Sequence, residues 1–223
     1  MPDISIDQQV ALRTAATRLA AGFTGIYGAE TIEAFLHSSY DQFATAGSIP
    51  NFLPLLAERF ARQRLRALAR VEGHHRDGRP VVLFLCTHNA GRSQMALGFF
   101  TFLAGEHAVA WSGGSEPGIE VNPAAIAAMT ERGIDISEEF PKPWTDEVVR
   151  AADVVVTMGC GDACPVFPGT RYENWDLDDP PAWTSPTCGR SATRSNAASA
   201  SSSTTCASPP PARAPPADPQ PAT

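Results

Sequence analysis

The spacing of apolar residues changes character along the chain. From Ile6 to Val71 they recur at three- and four-residue steps, the mark of amphipathic helices. A first stretch, about Ile6 to Leu19, places Val10, Leu12, Ala16 and Leu19 near one face, and a second, Glu30 to Phe43, carries Ile32, Phe35, Leu36, Tyr40 and Phe43. A third, Asn51 to Val71, carries Leu55, Leu56, Phe60, Leu65 and Leu68, with Arg62, Arg64, Arg66 and Arg70 expected on a solvated side. Gly28 and the run from Gly47 to Pro50 interrupt the period. Residues 1–75 are therefore expected to form a small all-helical domain of three helices, marginal in stability unless it packs on something. Residues 76–80, polar with Gly and Pro, are read as a linker.

From Val81 the apolar residues become contiguous. Val81 to Leu85 predicts a strand buried on both faces. Ser93 to Leu103 predicts a helix with Met95, Ala96, Phe99 and Phe100 facing inward. Ala108 to Trp111 predicts a second strand, ended by Ser112-Gly-Gly-Ser115. Asn122-Pro123 caps and opens a helix through Met129, and Thr145-Asp-Glu opens a shorter one. Ala152 to Met158 and Arg171 to Trp175 are the remaining strands. Strands separated by helices predict an α/β fold over residues 81–180, a four-stranded parallel sheet with flanking helices.

The segment joining the first strand to its helix is Cys86-Thr87-His88-Asn89-Ala90-Gly91-Arg92, followed by Ser93. A strand, a short polar loop and a helix N-terminus can hold a tetrahedral oxyanion, because unpaired N–H groups converge on it and the helix dipole assists. The same field favours the thiolate of a cysteine at the loop's base. Arg92 supplies a fork of donors matched to two anion oxygens. Asn89 and Gly91 suit left-handed turns, and Ser93 can cap the helix or hold the thiolate. Cys86 is thus a candidate nucleophile; the plain alternative is a buried core cysteine.

Two further groups lie after strands predicted to share that sheet edge. Cys160 and Cys164 stand four apart in a Gly-rich turn. A closed zinc site needs four ligands and no second close pair occurs in the body of the chain, so no metal is assigned. A thiol relay fits the pair better, one of them attacking a sulfur adduct on Cys86; two cysteines that merely line a turn are the alternative. Trp175-Asp-Leu-Asp178-Asp179-Pro180 clusters carboxylates. An anion that loses an oxygen needs a proton donor, and neighbouring carboxylates tend to keep one of them protonated. Asp179 is the first choice for that acid and Asp178 the second.

Composition narrows the classes. The 17 basic and 24 acidic residues leave a net charge of −7, with no basic run of the kind a nucleic-acid surface needs. No apolar run approaches the length that spans a bilayer, and the first twenty residues carry no apolar leader core. A cytoplasmic protein without nucleic-acid or membrane partners is expected, with its cysteines reduced at rest.

Residues 81–180 resemble the arsenate reductases built on the low-molecular-weight protein tyrosine phosphatase fold, most closely the actinobacterial type. The likeness rests on the Cys86–Ser93 loop, Ser112-Gly-Gly-Ser115, Val121-Asn-Pro, Gly133-Ile-Asp, Pro141-Lys-Pro, Met158-Gly-Cys-Gly-Asp and Trp175-Asp-Leu-Asp-Asp-Pro, in that order. The helical residues 1–75 resemble the N-terminal domain that some actinobacterial members carry. The resemblance implies that Cys86 attacks arsenate and Arg92 holds its oxygens. Ser93 then supports the thiolate, Asp179 protonates the departing oxygen, and Thr87, His88, Asn89, Ala90 and Gly91 complete the oxyanion loop. Cys160 and Cys164 match, in order, the cysteines that release arsenite and pass the disulfide to thioredoxin. Their spacing is shorter than in the better known members, which leaves room for mycothiol with mycoredoxin as the reductant. No tightly bound cofactor is implied. Phosphate-ester hydrolysis, on the closely similar phosphatase loop, is the main alternative, and a non-catalytic anion-binding or sensor protein a further one.

Residues 181–223 contain no Val, Ile, Leu, Met or Phe, a composition that predicts disorder. The resemblance implies an amphipathic helix there instead. A one-base shift in reading frame would supply one. Trp183 is necessarily TGG and Thr184 begins AC, so the shifted codon is GAC, aspartate. If the serines are TCN, the codons bridging into Cys188, Ser191, Ser195, Ser199, Ser202 and Cys206 become apolar at steps of three and four. The expectation is a frameshifted tail and a missing C-terminal helix.

Overall fold

The computed structural model describes residues 4–45, 52–74, 78–159 and 166–177. All of them belong to the first of two units, Met1–Trp183 and Thr184–Thr223. The tail from 181, and with it the frameshift reading, lies outside the described residues.

Three helices open the chain: α1 (Ile6–Gly22), α2 (Ala29–Thr45) and α3 (Leu53–Val71). Ser5 starts α1 with a capping box, its hydroxyl accepting from the Gln8 amide and the Gln8 side chain accepting from the Ser5 amide. α3 carries Pro54 in its first turn, where the missing N–H costs nothing. Leu12, Ala15 and Leu19 of α1 bury against Ile32, Leu36, Tyr40 and Phe43 of α2 and Ala57, Phe60, Ala61 and Leu65 of α3. Two residues expected on these faces point outward, Val10 (56% exposed) and Leu55 (52% exposed). Each stands two positions, about 200° of helix, from a core residue, Leu12 and Ala57, so it cannot share their stripe.

The arginines of α3 also differ from a uniformly solvated face. Arg62 reaches Glu58 one turn back and Arg70 pairs with Asp153. Arg64 is buried, 9% exposed, and bonds Glu147. A second core lies against α3's last turns, and that leaves Arg64 inside.

After α3 come β1 (Val81–Cys86), α4 (Arg92–Ala104), a 3₁₀ turn at Gly105–His107, β2 (Val109–Gly114), α5 (Pro123–Thr130), α6 (Asp146–Ala151), β3 (Val154–Thr157) and β4 (Arg171–Asn174). The strands form a four-stranded parallel sheet in the order β2-β1-β3-β4. One face packs on α6 and on Ala67 of α3, and the other on Leu97 of α4. The fold is the α/β sheet with flanking helices, preceded by a helical region, that the pattern of periods predicts. α3 serves both cores, its first turns in the helical cluster and Ala67 against the sheet.

Two details depart from the sequence reading. β2 runs on through Ser112, Gly113 and Gly114, because Gly114 pairs with Cys86 in the ladder and also receives Trp144 N–H at 3.2 Å. The buried stripe of α4 is Ser93, Gln94, Leu97 and Gly98, while Met95, Ala96, Phe99 and Phe100 flank it, half-buried. A polar pair leads this stripe because its first turn faces the loop rather than the apolar core.

Candidate active site

Strand order reverses at β1: the chain passes from β1 to β2 on one side and then to β3 on the other. In parallel sheets the crevice at the carboxyl ends of such strands receives ligands. Cys86 is the last residue of β1 and opens that crevice, 3% exposed.

The loop after it is held from outside by its carbonyls. Glu116 N–H donates to Thr87 O at 2.8 Å, Gly118 N–H to His88 O at 2.8 Å and Asn122 N–H to Ala90 O at 2.7 Å. The carbonyl of Asn89 accepts from Gln94 Nε2 at 3.0 Å. A trans peptide turns its N–H opposite to its C=O, so the N–H groups of His88, Asn89, Ala90 and Gly91 are directed away from those outer partners. A loop so held can cradle an oxyanion with its backbone. Its tightness accounts for Gly114, where a Cβ would stand 2.6 Å from Thr87 O.

Asn89 has φ 47°, the left-handed conformation expected of it, whereas Gly91 has φ −133° and serves as the cap residue of α4. Wholly buried, Asn89 donates Nδ2–H to Ser93 Oγ at 2.8 Å, and its Oδ1 accepts from Lys142 N at 3.0 Å and Gln94 Nε2 at 3.2 Å. Ser93 Oγ lies 3.0 Å from Cys86 Sγ. A thiolate has no proton to give, so in the ionised form Ser93 donates. Ser93 lies inside the helix and does not cap it.

Arg92 opens α4 and donates Nη1–H to Leu177 O at 3.1 Å. Thr87 Oγ1 donates to Gly159 O at 3.0 Å, and Gly159 combines φ 75° with a position where a Cβ would meet Arg92 Nη1 at 2.9 Å. Only glycine meets both demands. The exposed His88 holds Glu116 O through Nδ1 at 3.0 Å. The predicted residues Cys86, Thr87, His88, Asn89, Ala90, Gly91, Arg92 and Ser93 are thus brought together. Cys160, Cys164, Asp178 and Asp179 lie outside the described residues.

Sequence reasoning missed Gln94 and Lys142. Gln94 is buried and ties Asn89 to Phe140, whose carbonyl accepts from its Nε2 at 3.1 Å. Lys142, 3% exposed, reaches Phe140 O at 3.2 Å and Glu139 at 3.5 Å, and burial lowers its pKa from the ordinary lysine value against the opposing pull of Glu139. A polar residue in the helical stripe of α4 was the available signal for Gln94; Lys142 stands in the Pro141-Lys-Pro motif of the resemblance, to which no role was given.

The profile of the low molecular weight phosphotyrosine protein phosphatase family matches residues 81–186, and that of the protein-tyrosine-phosphatase-like N-terminal domain matches residues 12–69. Arsenate reductase 1 of Staphylococcus epidermidis is 44% identical over 103 residues, 44% of this chain and 76% of that protein. The arsenate reductase of Bacillus subtilis is 41% identical over 104 residues, 45% of this chain and 73% of that protein. The structure of the thioredoxin-dependent arsenate reductase of Corynebacterium glutamicum superposes with a TM-score of 0.73 at 45% identity, covering 76% of this chain and 88% of that one. The chain belongs to the arsenate reductases of the low molecular weight phosphotyrosine protein phosphatase family, in the form preceded by an N-terminal helical region.

Proposed function

We propose that the chain reduces arsenate to arsenite, with Cys86 as the nucleophile and a thiol relay as the source of electrons. The observation that carries this reading is the Cys86 sulfur set 3.0 Å from Ser93 Oγ at the base of a backbone cradle, in a chain 45% identical to a thioredoxin-dependent arsenate reductase. The cradle and Arg92 bind the oxyanion. The Cys86 thiolate attacks arsenic as one oxygen departs as water, protonated by Asp179 or, failing it, Asp178. Cys160 then attacks the Cys86 sulfur; the S–As electron pair stays on arsenic, which leaves as arsenite, and a disulfide forms. Cys164 takes the disulfide over, and thioredoxin reduces it. Mycothiol with mycoredoxin is the other route, the small thiol making the adduct and mycoredoxin reducing it. Cytoplasmic reductants of either kind fit a chain in which no described helix is long and apolar enough to cross a membrane.

The cradle suits phosphate as well, so phosphate-ester hydrolysis is the competing reading. The test sets arsenite release, with a thiol-reducing system, beside hydrolysis of an aryl phosphate. Arsenite release that disappears in Cys86→Ser supports the proposal. Brisk phosphatase turnover without arsenite overturns it, and undiminished activity in Cys86→Ser points to a non-catalytic anion-binding protein.

A further inference from the structure

One route from the N-terminal helices to the reacting loop runs through Phe140. Phe140 lies in the segment between α5 and α6 and packs into the helical core. Its ring meets Phe43 of α2 edge-on, centroids 5.8 Å apart. Two cations address the same ring, Arg59 of α3 with Cζ 4.7 Å from the centroid and Lys142 with Nζ at 4.6 Å. Arg59 also donates to Glu138 O at 2.7 Å. The backbone of this segment serves the loop. Phe140 O accepts from Gln94 at 3.1 Å, and the Lys142 amide donates to Asn89 Oδ1 at 3.0 Å. Asn89 then holds Ser93, and Ser93 holds Cys86.

Every link from Phe43 and Arg59 to the Cys86 sulfur is therefore a ring contact or a hydrogen bond, made among mostly buried groups. Such a network is rigid when complete, and expensive to leave partly unpaired. Lys142 strengthens the point, since a polar group on a residue this buried must keep its partners.

We propose that Phe140 is a positioning residue through which α2 and α3 set the geometry of the Cys86 loop, so that the N-terminal helices are part of the catalytic scaffold. This rests on Cys86 being the nucleophile. The aromatic ring is the feature that matters: it offers a face to Arg59 and Lys142, which an aliphatic side chain of similar bulk does not.

The test compares wild type with Phe140→Leu and Phe140→Tyr in the full chain, at a temperature where melting curves show all three folded. Two quantities are read: alkylation of Cys86 by iodoacetamide, followed by peptide mass spectrometry, and kcat and KM for arsenite release. Misplacing a reacting group by an ångström costs up to about a hundredfold. Phe140→Leu is expected to slow Cys86 alkylation about tenfold and lower kcat by a similar factor, with a smaller change in KM, and Phe140→Tyr to restore both. Unchanged alkylation and kcat in Phe140→Leu, whatever its melting temperature, would make Phe140 packing alone and overturn the proposal. If wild type releases no arsenite while Phe140→Leu still slows Cys86 alkylation and Phe140→Tyr restores it, the positioning role stands and the substrate assignment falls.

Discussion

Arg64 of α3 bonds Glu147 of α6 across 83 positions of sequence, with only 11% and 16% of the two side chains exposed. Arg64 also donates to Ser38 and Ser39 and lies over the rings of Phe35 and Phe60. One guanidinium thus joins the helical core to the helix that covers the sheet.

Removing either partner leaves the other charge largely buried. Arg64→Met or Glu147→Leu alone is expected to cost about 3 kcal/mol of stability in urea unfolding, and the double variant to recover much of it. Single-variant losses below about 0.5 kcal/mol would class the pair with exposed salt bridges instead.

Ser93→Ala deletes the hydroxyl beside Cys86 without changing the helix. A hydrogen bond to a charged group contributes about 1.5–3 kcal/mol, so Cys86 alkylation and arsenite release should both fall about ten- to a hundredfold. Wild-type rates in this variant would mean that the 3.0 Å contact does not act on the reacting thiolate.

Electron flow separates the two reductants. Cys86→Ser should abolish turnover. Cys160→Ser or Cys164→Ser should stop the thioredoxin-driven cycle and spare one driven by mycothiol and mycoredoxin, because only the first needs an internal disulfide. A trapped adduct carrying a low-molecular-weight thiol, with no Cys86–Cys160 disulfide, would rule out the three-cysteine relay.

Glu58 carries the acid sensitivity of the helical core. Largely buried, its carboxyl is held below the usual carboxylate range, first by the hydrogen bond from Arg18, with Arg62 adding to it against the effect of burial. Its unfolded value, about 4.5, is the higher of the two. The stabilisation is therefore complete above about 4.5 and is lost as pH falls through the lower folded value. Urea unfolding of wild type and Glu58→Gln should differ most near neutrality and converge in acid. A difference that stays constant with pH would remove Glu58 from the account.

The tail supplies the last prediction. On the α4 side of the sheet, Phe84 touches Trp175, which is 43% exposed, and Phe102 and Leu103 of α4 are 63% and 79% exposed. A chain carrying the shifted-frame helix after Asp179 should melt well above the present one, since each buried aliphatic side chain contributes roughly 1.5–3 kcal/mol. Equal melting temperatures, with the gene reading as given, would end the frameshift explanation.

The elements of this protein were legible in its sequence because each is a local matter. Three helical periods, Val81 to Leu85 as a strand buried on both faces, Asn122-Pro123 as a helix start, and a thiol-to-arginine loop between strand and helix can all be read from neighbours a few positions apart. Which surfaces of those elements meet was decided only by the tertiary structure. Arg64 reads as a solvated arginine until α6 brings Glu147 to it, and Pro141-Lys-Pro gives no sign that the Lys142 amide will meet Asn89. The physical reason is that periodicity fixes which residues share a face, whereas the bonds from Phe140 and Lys142 to the loop and the Arg64–Glu147 pair join residues 46 to 83 positions apart. Such pairings exist only once the packed chain has excluded water from between them.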